Sequence, residues 1–172
     1  DLTRKVAAEN LDPEKTLAST IANNPIITLD ASYPMEDAYA CMRKNNIRHL
    51  GVTEKDQMVG ILSVKDFANY FHTKFNQETG EKGEIQYFMK DSVLSIEARE
   101  SVLNAAKKMA QYKLGSLIVS DAGKVKGVFS ESALTMDIIA AGHPLDTTLL
   151  SDILVHKLNT MDCNQTMSNA YQ

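Results

Sequence analysis

A chain that repeats itself can fold only into copies of one unit, and this chain repeats at two distances. Moved along by 132 positions, residues 1–40 fall on 133–172 without a gap, with Leu2/Leu134, Thr3/Thr135, Ala8/Ala140, Thr16/Thr148, Leu17/Leu149, Ser19/Ser151, Ile21/Ile153, Thr28/Thr160, Asp30/Asp162, Met35/Met167, Ala38/Ala170 and Tyr39/Tyr171 identical. A fainter echo lies at about half that distance. A shift of 67 brings Ala31/Ala98, Ala38/Ala105, Met42/Met109, Leu50/Leu117, Val52/Val119, Gly60/Gly127 and Ser63/Ser130 together, and most intervening apolar positions exchange only for other apolar residues. The unit is therefore about 65 residues long, and units come in pairs.

Each unit reads in one order. A short extended segment opens it, Ile26 to Leu29 or Val93 to Ile96, rich in β-branched residues. A helix follows, with apolar residues three and four apart: Met35, Ala38, Tyr39 and Met42 in one copy, Val102, Ala105, Ala106 and Met109 in the other. Ser32 and Glu100-Ser101 supply start-of-helix chemistry. Two strands come next, Leu50 to Thr53 and Met58 to Leu62 around the polar turn Glu54 to Gln57, then likewise Leu117 to Ser120 and Val125 to Phe129 around Asp121-Ala122-Gly123. A second helix closes the unit, from Ser63 to about Phe71 and from Ser130 to about Ala141. The methionines at 35, 42, 109 and 167 fall on helical core positions and read as packing.

The expected domains are residues 1–25, the closing helix and linker of a truncated unit; 26–91, a full unit; 92–157, a second full unit; and 158–172, the start of another truncated one. The linkers Asn10 to Pro13 and Gly142 to Leu145 occupy matched positions, whereas the Gly/Glu/Lys-rich stretch 76–84 matches neither and reads as the joint between two pairs. The chain is expected to be a fragment, or the ordered part, of a protein of four units.

Composition narrows the functional classes. Apolar residues at 44% and charged residues at 23% are ordinary for a globular protein. A net charge of −4 supplies no long-range attraction for nucleic acid or an anionic membrane, so an anionic ligand needs a local basic cluster. No apolar run approaches a membrane span and no signal-like segment opens the chain. Cys41 and Cys163 stand in helix-like segments without CxxC or metal-ligand spacing, which points to a reduced, cytoplasmic setting. There is no Walker loop, GxGxxG or HExxH, and His49, His72, His143 and His156 have no spacing that builds a nucleophilic or metal site. No catalytic constellation is visible, and a nucleotide-hydrolysing enzyme lacks the residues it would need.

The order strand, helix, strand, strand, helix, with Gly60-Ile61-Leu62-Ser63-Val64-Lys65-Asp66 at the last strand-to-helix junction, resembles the cystathionine-β-synthase (CBS) domain family. That family signs this junction with Gly, an apolar residue, any residue, Ser or Thr, two more, then Asp. Ile47 to Val52 is similar to its second-strand motif, with Gly51 where a proline is usual, and Asp1 to Val6 looks like the start of the closing helix of a preceding unit. The resemblance covers essentially the whole chain. It implies an α/β fold of tandem CBS repeats paired through their sheets, acting as a Bateman module that dimerises and binds adenosine nucleotides or S-adenosylmethionine to regulate a partner or attached domain.

The residues suit that chemistry. A helix beginning at Ser63 would direct unsatisfied backbone N–H groups and its positive end toward a phosphate, and the Ser63 hydroxyl could donate to it. Asp66, one turn along, could accept from both hydroxyls of a ribose. Ser-x-x-Asp is equally an ordinary helix start. Arg48 carries a permanent planar charge suited to phosphate, and adjacent His49 faces the other side of the strand, though a solvated Arg48 and a His49 packed at a pair interface are equal alternatives. Asp1 stands at the acid position of the preceding unit. Arg4 could reach a phosphate or simply face solvent. The resemblance adds the strand entrance, Ile26 and Ile27, to the cleft. The following unit departs from the pattern: Ala133 replaces the acid and Gly115-Ser116 replace Arg48-His49, so its site is expected to be degenerate. The expected ligand is AMP, ADP, ATP or S-adenosylmethionine, bound by a homodimer with an unknown effector. The alternative is a ligand-free dimerisation scaffold.

Overall fold

The computed structural model describes residues 1–68, 70, 84–87, 89, 92–153, 156–166 and 169–170. In chain order the elements are a π-helix, Thr3–Ala7; α1, Ala18–Ile21; β1, Thr28–Asp30; α2, Met35–Asn45; β2, His49–Glu54; β3, Gln57–Ser63; α3, helical at residues 64–68; a 3-10 turn, Ile85–Tyr87; β4, Ser95–Glu97; α4, Val102–Tyr112; β5, Ser116–Asp121; β6, Lys124–Ser130; α5, Glu131–Ala133, which runs into a second π-helix, Leu134–Ile139; and a second 3-10 turn, Leu150–Asp152. The expected joint at 76–84 lies outside the described residues except for Glu84, as do Phe71, His72 and Met167.

The chain forms two compact units. The early unit is Asn23–Tyr87 with Cys163–Gln172, and the late unit is Phe88–Asp162 with Asp1–Ala22. Each holds a three-stranded sheet, ordered β1-β2-β3 or β4-β5-β6. The first two strands of each sheet are parallel and the last two antiparallel. Parallel neighbours need a long crossover, which α2 and α4 provide, whereas antiparallel neighbours can be joined by a two-residue turn. Those turns are Lys55-Asp56 (φ 49° and 60°) and Ala122-Gly123 (φ 48° and 78°). Positive φ at both central residues gives the twist that matches a right-handed hairpin. Even the ladder irregularities repeat, at Val52/Thr53 and Val119/Ser120.

The crossover helix α4 follows its periodicity throughout, whereas in α2 Met35 is only partly buried and Tyr39 stays 40% exposed. Ala38 and Met42 in α2, and Val102, Ala105, Ala106 and Met109 in α4, are buried. Both helices end on a left-handed residue, Asn46 and Lys113, after which Ile47 N–H bonds Met42 O at 3.1 Å and Leu114 N–H bonds Met109 O at 2.9 Å. This closure satisfies the last carbonyls and folds Ile47 and Leu114 back against the cores.

The starts differ from each other. Ser101 caps α4, accepting from Asn104 N–H at 3.2 Å, as its sequence position suggests. Ser32 does not cap α2: Pro34 holds that position without a side-chain bond, and the Ser32 hydroxyl instead donates to Asp30 Oδ1 at 2.7 Å. The opening strands also begin later than expected, at Thr28 and Ser95, where they come into register with the central strands. Cys41 lies in α2, but Cys163 lies in a turn rather than a helix.

Two further features arise from packing. Gly51 pairs with Thr28 across β1 and β2, and a Cβ there would stand 2.9 Å from Thr28 Cγ2 and 3.0 Å from Met58 Cε. The stretches 2–8 and 134–140, identical at three positions, both wind as π-helices, closed by Ala8 N–H to Thr3 O at 2.9 Å and Ala140 N–H to Thr135 O at 3.0 Å. Both belong to the late unit, where Ala7, Leu134 and Ile138 join a core around Met109, Leu117, Val119 and Phe129. The early unit's buried cluster among the described residues is much smaller, Ala38, Met42, Leu50 and Phe67. Its last strand leaves Met58 55%, Val59 57% and Ile61 68% exposed.

Candidate ligand cleft

Three of the expected site residues meet where β2 begins and β3 ends. His49 is the direct register partner of Ser63, and directly opposed residues on antiparallel strands share a face. From Ser63, the chain turns into α3, bringing Asp66 back over the strand end. The Ser63 backbone N–H and hydroxyl both donate to Asp66 Oδ2, each at 2.7 Å. These bonds hold the Asp66 carboxyl below its ordinary value of 3.8, the hydroxyl contributing most and the N–H next; desolvation opposes them, and Asp66's own backbone N–H and the charge of His49 add the least. Asp66 is thus a fixed, exposed carboxylate. A carboxylate offers about four lone-pair directions, and the Ser63 bonds both fall on one oxygen.

Arg48 precedes this strand end and is exposed, and its carbonyl accepts the Val64 N–H at 3.1 Å. That bond corrects one expectation. The N–H groups of Ser63 and Val64 are satisfied within the protein, by Asp66 Oδ2 and Arg48 O, and do not point unsatisfied at a ligand. Ile27 lies alongside, its carbonyl accepting Gly51 N–H at 3.1 Å, and Ile26 is exposed at the entrance. Asp1 and Arg4 belong to the late unit, where Asp1 lies 3.6 Å from Lys5 Nζ.

The late unit repeats the backbone of this corner with different chemistry. Ser116 is in register with Ser130, and Glu131 N–H bonds Gly115 O at 2.9 Å, matching Val64 and Arg48. Ser130 now accepts from Ala133 N–H at 3.2 Å, an ordinary helix cap. Ala133, at the position of the missing acid, is only 3% exposed and belongs to the core. Apolar packing occupies that place, and a carboxylate there would be buried. Glu131 was not singled out by the motif, although the shift of 67 sets it against Val64. Among the described residues no group of His, Cys, Asp and Glu could hold a metal ion, and no helix is long and apolar enough to cross a membrane.

Two parallel-then-antiparallel α/β units of about 65 residues, each with a Gly-x-x-Ser junction between last strand and helix, define a tandem-repeat module. The chain belongs to the CBS domain family, whose model matches residues 18–73 and 83–139. Two curated relatives from Arabidopsis thaliana, the CBS domain-containing proteins CBSCBSPB2 and CBSCBSPB3, are each 22% identical over 90% of this chain and 34% of their own length. The chain therefore spans about a third of the curated relatives it matches. Among solved structures, protein MJ1225 from Methanocaldococcus jannaschii superposes with a TM-score of 0.69 at 13% identity, over 85% of this chain and 55% of that one, a likeness of fold. CBS pairs are regulatory modules, and this chain carries two tandem CBS units.

Proposed function

We propose that the early unit senses an adenosine-type ligand, AMP, ADP, ATP or S-adenosylmethionine, and passes its occupancy to a partner or attached domain. The observation that carries this reading is the pinned carboxylate of Asp66, held ionised by Ser63 beside His49, with Arg48 next along the strand. A ribose edge presents two neighbouring hydroxyl donors, and a carboxylate fixed in place accepts them without paying to order itself. Arg48 supplies the permanent charge for phosphate, and the apolar entrance of Ile26 and Ile27 suits a flat purine. Asp1 and Arg4 enter this proposal only as the matching positions of the preceding repeat. Catalysis forms no part of the proposal, and a cytoplasmic setting fits the two free cysteines.

The exposed Met58, Val59 and Ile61 on β3 support assembly through the sheet, and we propose a homodimer. A monomer by light scattering at working concentration contradicts that part. One observation favours the alternative of a ligand-free scaffold: Asp66 already serves as the partner of the helix start. Thermal melts separate the two readings, because a ligand that binds only the folded form raises the melting temperature by mass action. The sensor predicts a dose-dependent rise with one of the four ligands. The scaffold predicts none.

A further inference from the structure

We infer that the outer edge of β3 is where two copies of this chain join: Ile61 faces its own copy across a twofold axis, and two three-stranded sheets become one of six. The inference rests on the homodimer reading just given and names its strand and register. β3 ends its sheet, and among the described residues none pairs with its outer side. The ladder fixes which backbone groups point there. Gly51 N–H bonds Ile27 O at 3.1 Å, so Gly51 turns its backbone toward β1, and its register partner Ile61 turns its own away from β2. The late unit shows the same geometry occupied. Ile118 N–H bonds Leu94 O at 3.2 Å, and its register partner Val128 points outward, where its N–H bonds His156 O at 3.0 Å. A segment of the chain thus covers the half-buried Val128, whereas the matching Ile61 is 68% exposed.

The residues of the two edges differ in the same sense. Open strand edges are commonly kept apart by charge, lysine above all. β6 carries Lys124 and Lys126, and the shift of 67 sets Gln57 and Val59 against them; from Gln57 to Ser63, β3 has no charged residue. Its apolar Met58 and Val59 are more than half exposed beside Ile61. The second copy is the occupant these features fit, because an uncharged strand can lie antiparallel to itself without opposing like charges, and β6 cannot. The register follows from what flanks Ile61. On one side Val59 is the extra residue of the ladder irregularity, since Gly60 and Met58 pair with the consecutive Val52 and Thr53. On the other, the Ser63 N–H is already given to Asp66 Oδ2. With Ile61 on the axis, each copy donates its N–H to the other's carbonyl, the reciprocal pair of an antiparallel ladder.

The test places charge on the axis. Sedimentation velocity of the full chain over a concentration series compares wild type, Ile61→Thr, Ile61→Lys, Ile61→Glu and an equimolar mixture of the last two. Ile61→Lys and Ile61→Glu each weaken dimerisation at least about tenfold, because each sets a charge against its own copy. Added salt narrows the loss. Ile61→Thr, β-branched and uncharged, stays dimeric. The mixture recovers a dimer that neither charged variant forms alone, since Lys then faces Glu, and only a position that meets itself gives that result. All variants keep the circular dichroism of the wild type, as the site is at the surface. Charged variants that dimerise as wild type does, or a mixture that stays monomeric, overturn the inference while leaving a homodimer of another geometry. A wild type that is monomeric at every concentration is instead the failure of the homodimer reading, and the inference falls with it.

Discussion

Asp66 does two jobs with one carboxylate. Its bonds from Ser63 start α3, and in the proposed reading the same bonds fix it for a ligand. Its depressed pKa has a definite sign in folding: the stabilising contribution is fully present above the ordinary carboxyl value of 3.8 and disappears as pH falls through the lower native value. A carboxyl-carbon NMR titration should place the Asp66 midpoint below 3.8, with Ser63→Ala moving it back toward that value; a wild-type midpoint at or above 3.8 refutes the geometry. Because Asp66→Ala would also strip the helix start, Asp66→Asn is the better probe of binding: it keeps an acceptor for Ser63 and gives up the charge. Glycines make a second contrast at this scale. Gly51→Ala should destabilise by about 1–3 kcal/mol, because its Cβ would press on Thr28. Gly60→Ala, with nothing within 4 Å of a new Cβ, should leave the denaturation midpoint of the unliganded protein unchanged or slightly raised.

At the scale of elements, periodicity made most of the fold legible. The stripe from Met35 to Met42 and its copy at 102–109 locate α2 and α4, and the polar turns locate both hairpins. Strand ends were read short because ladder pairing continues into polar flanks such as His49, Ser63 and Lys124, which carry no apolar signal. The π-helices were hidden for a different reason: Leu134 and Ile138 are buried at a spacing an α-helix would also produce, and the extra residue per turn leaves no mark on the pattern. The candidate site divides the same way. Ser63, Asp66 and His49 could be named from motif and strand order, whereas the internal satisfaction of the Ser63 and Val64 N–H groups and the burial of Ala133 depend on contacts that spacing does not encode. Packing also sets what each element can lose. Phe67, on the turn after the junction serine, is 2% exposed and meets Tyr39 with ring centroids 5.7 Å apart. Phe67→Ala should cost about 3–5 kcal/mol by chemical denaturation, because it empties a buried site packed with Ala38, Met42 and Leu50. A cost below 1 kcal/mol would show that α3 is not anchored there.

For the whole molecule, one repeated backbone carries two chemistries. The late unit uses its acid position for core packing and sets Glu131 beside Gly115, while the early unit keeps Asp66, Arg48 and His49 exposed beside a half-buried Ser63. In the proposed reading, one repeat is structural and the other is stabilised by what it binds. The direct test is a calorimetric titration of the full chain with AMP, ADP, ATP and S-adenosylmethionine, run in parallel on Asp66→Asn. At least one of the four should give a saturable heat with wild-type protein, and the same ligand should bind the folded variant about ten- to a hundredfold more weakly, the cost of a lost charge-assisted bond to ribose. No heat from any of the four, or an Asp66→Asn protein that binds as wild type does, contradicts the account.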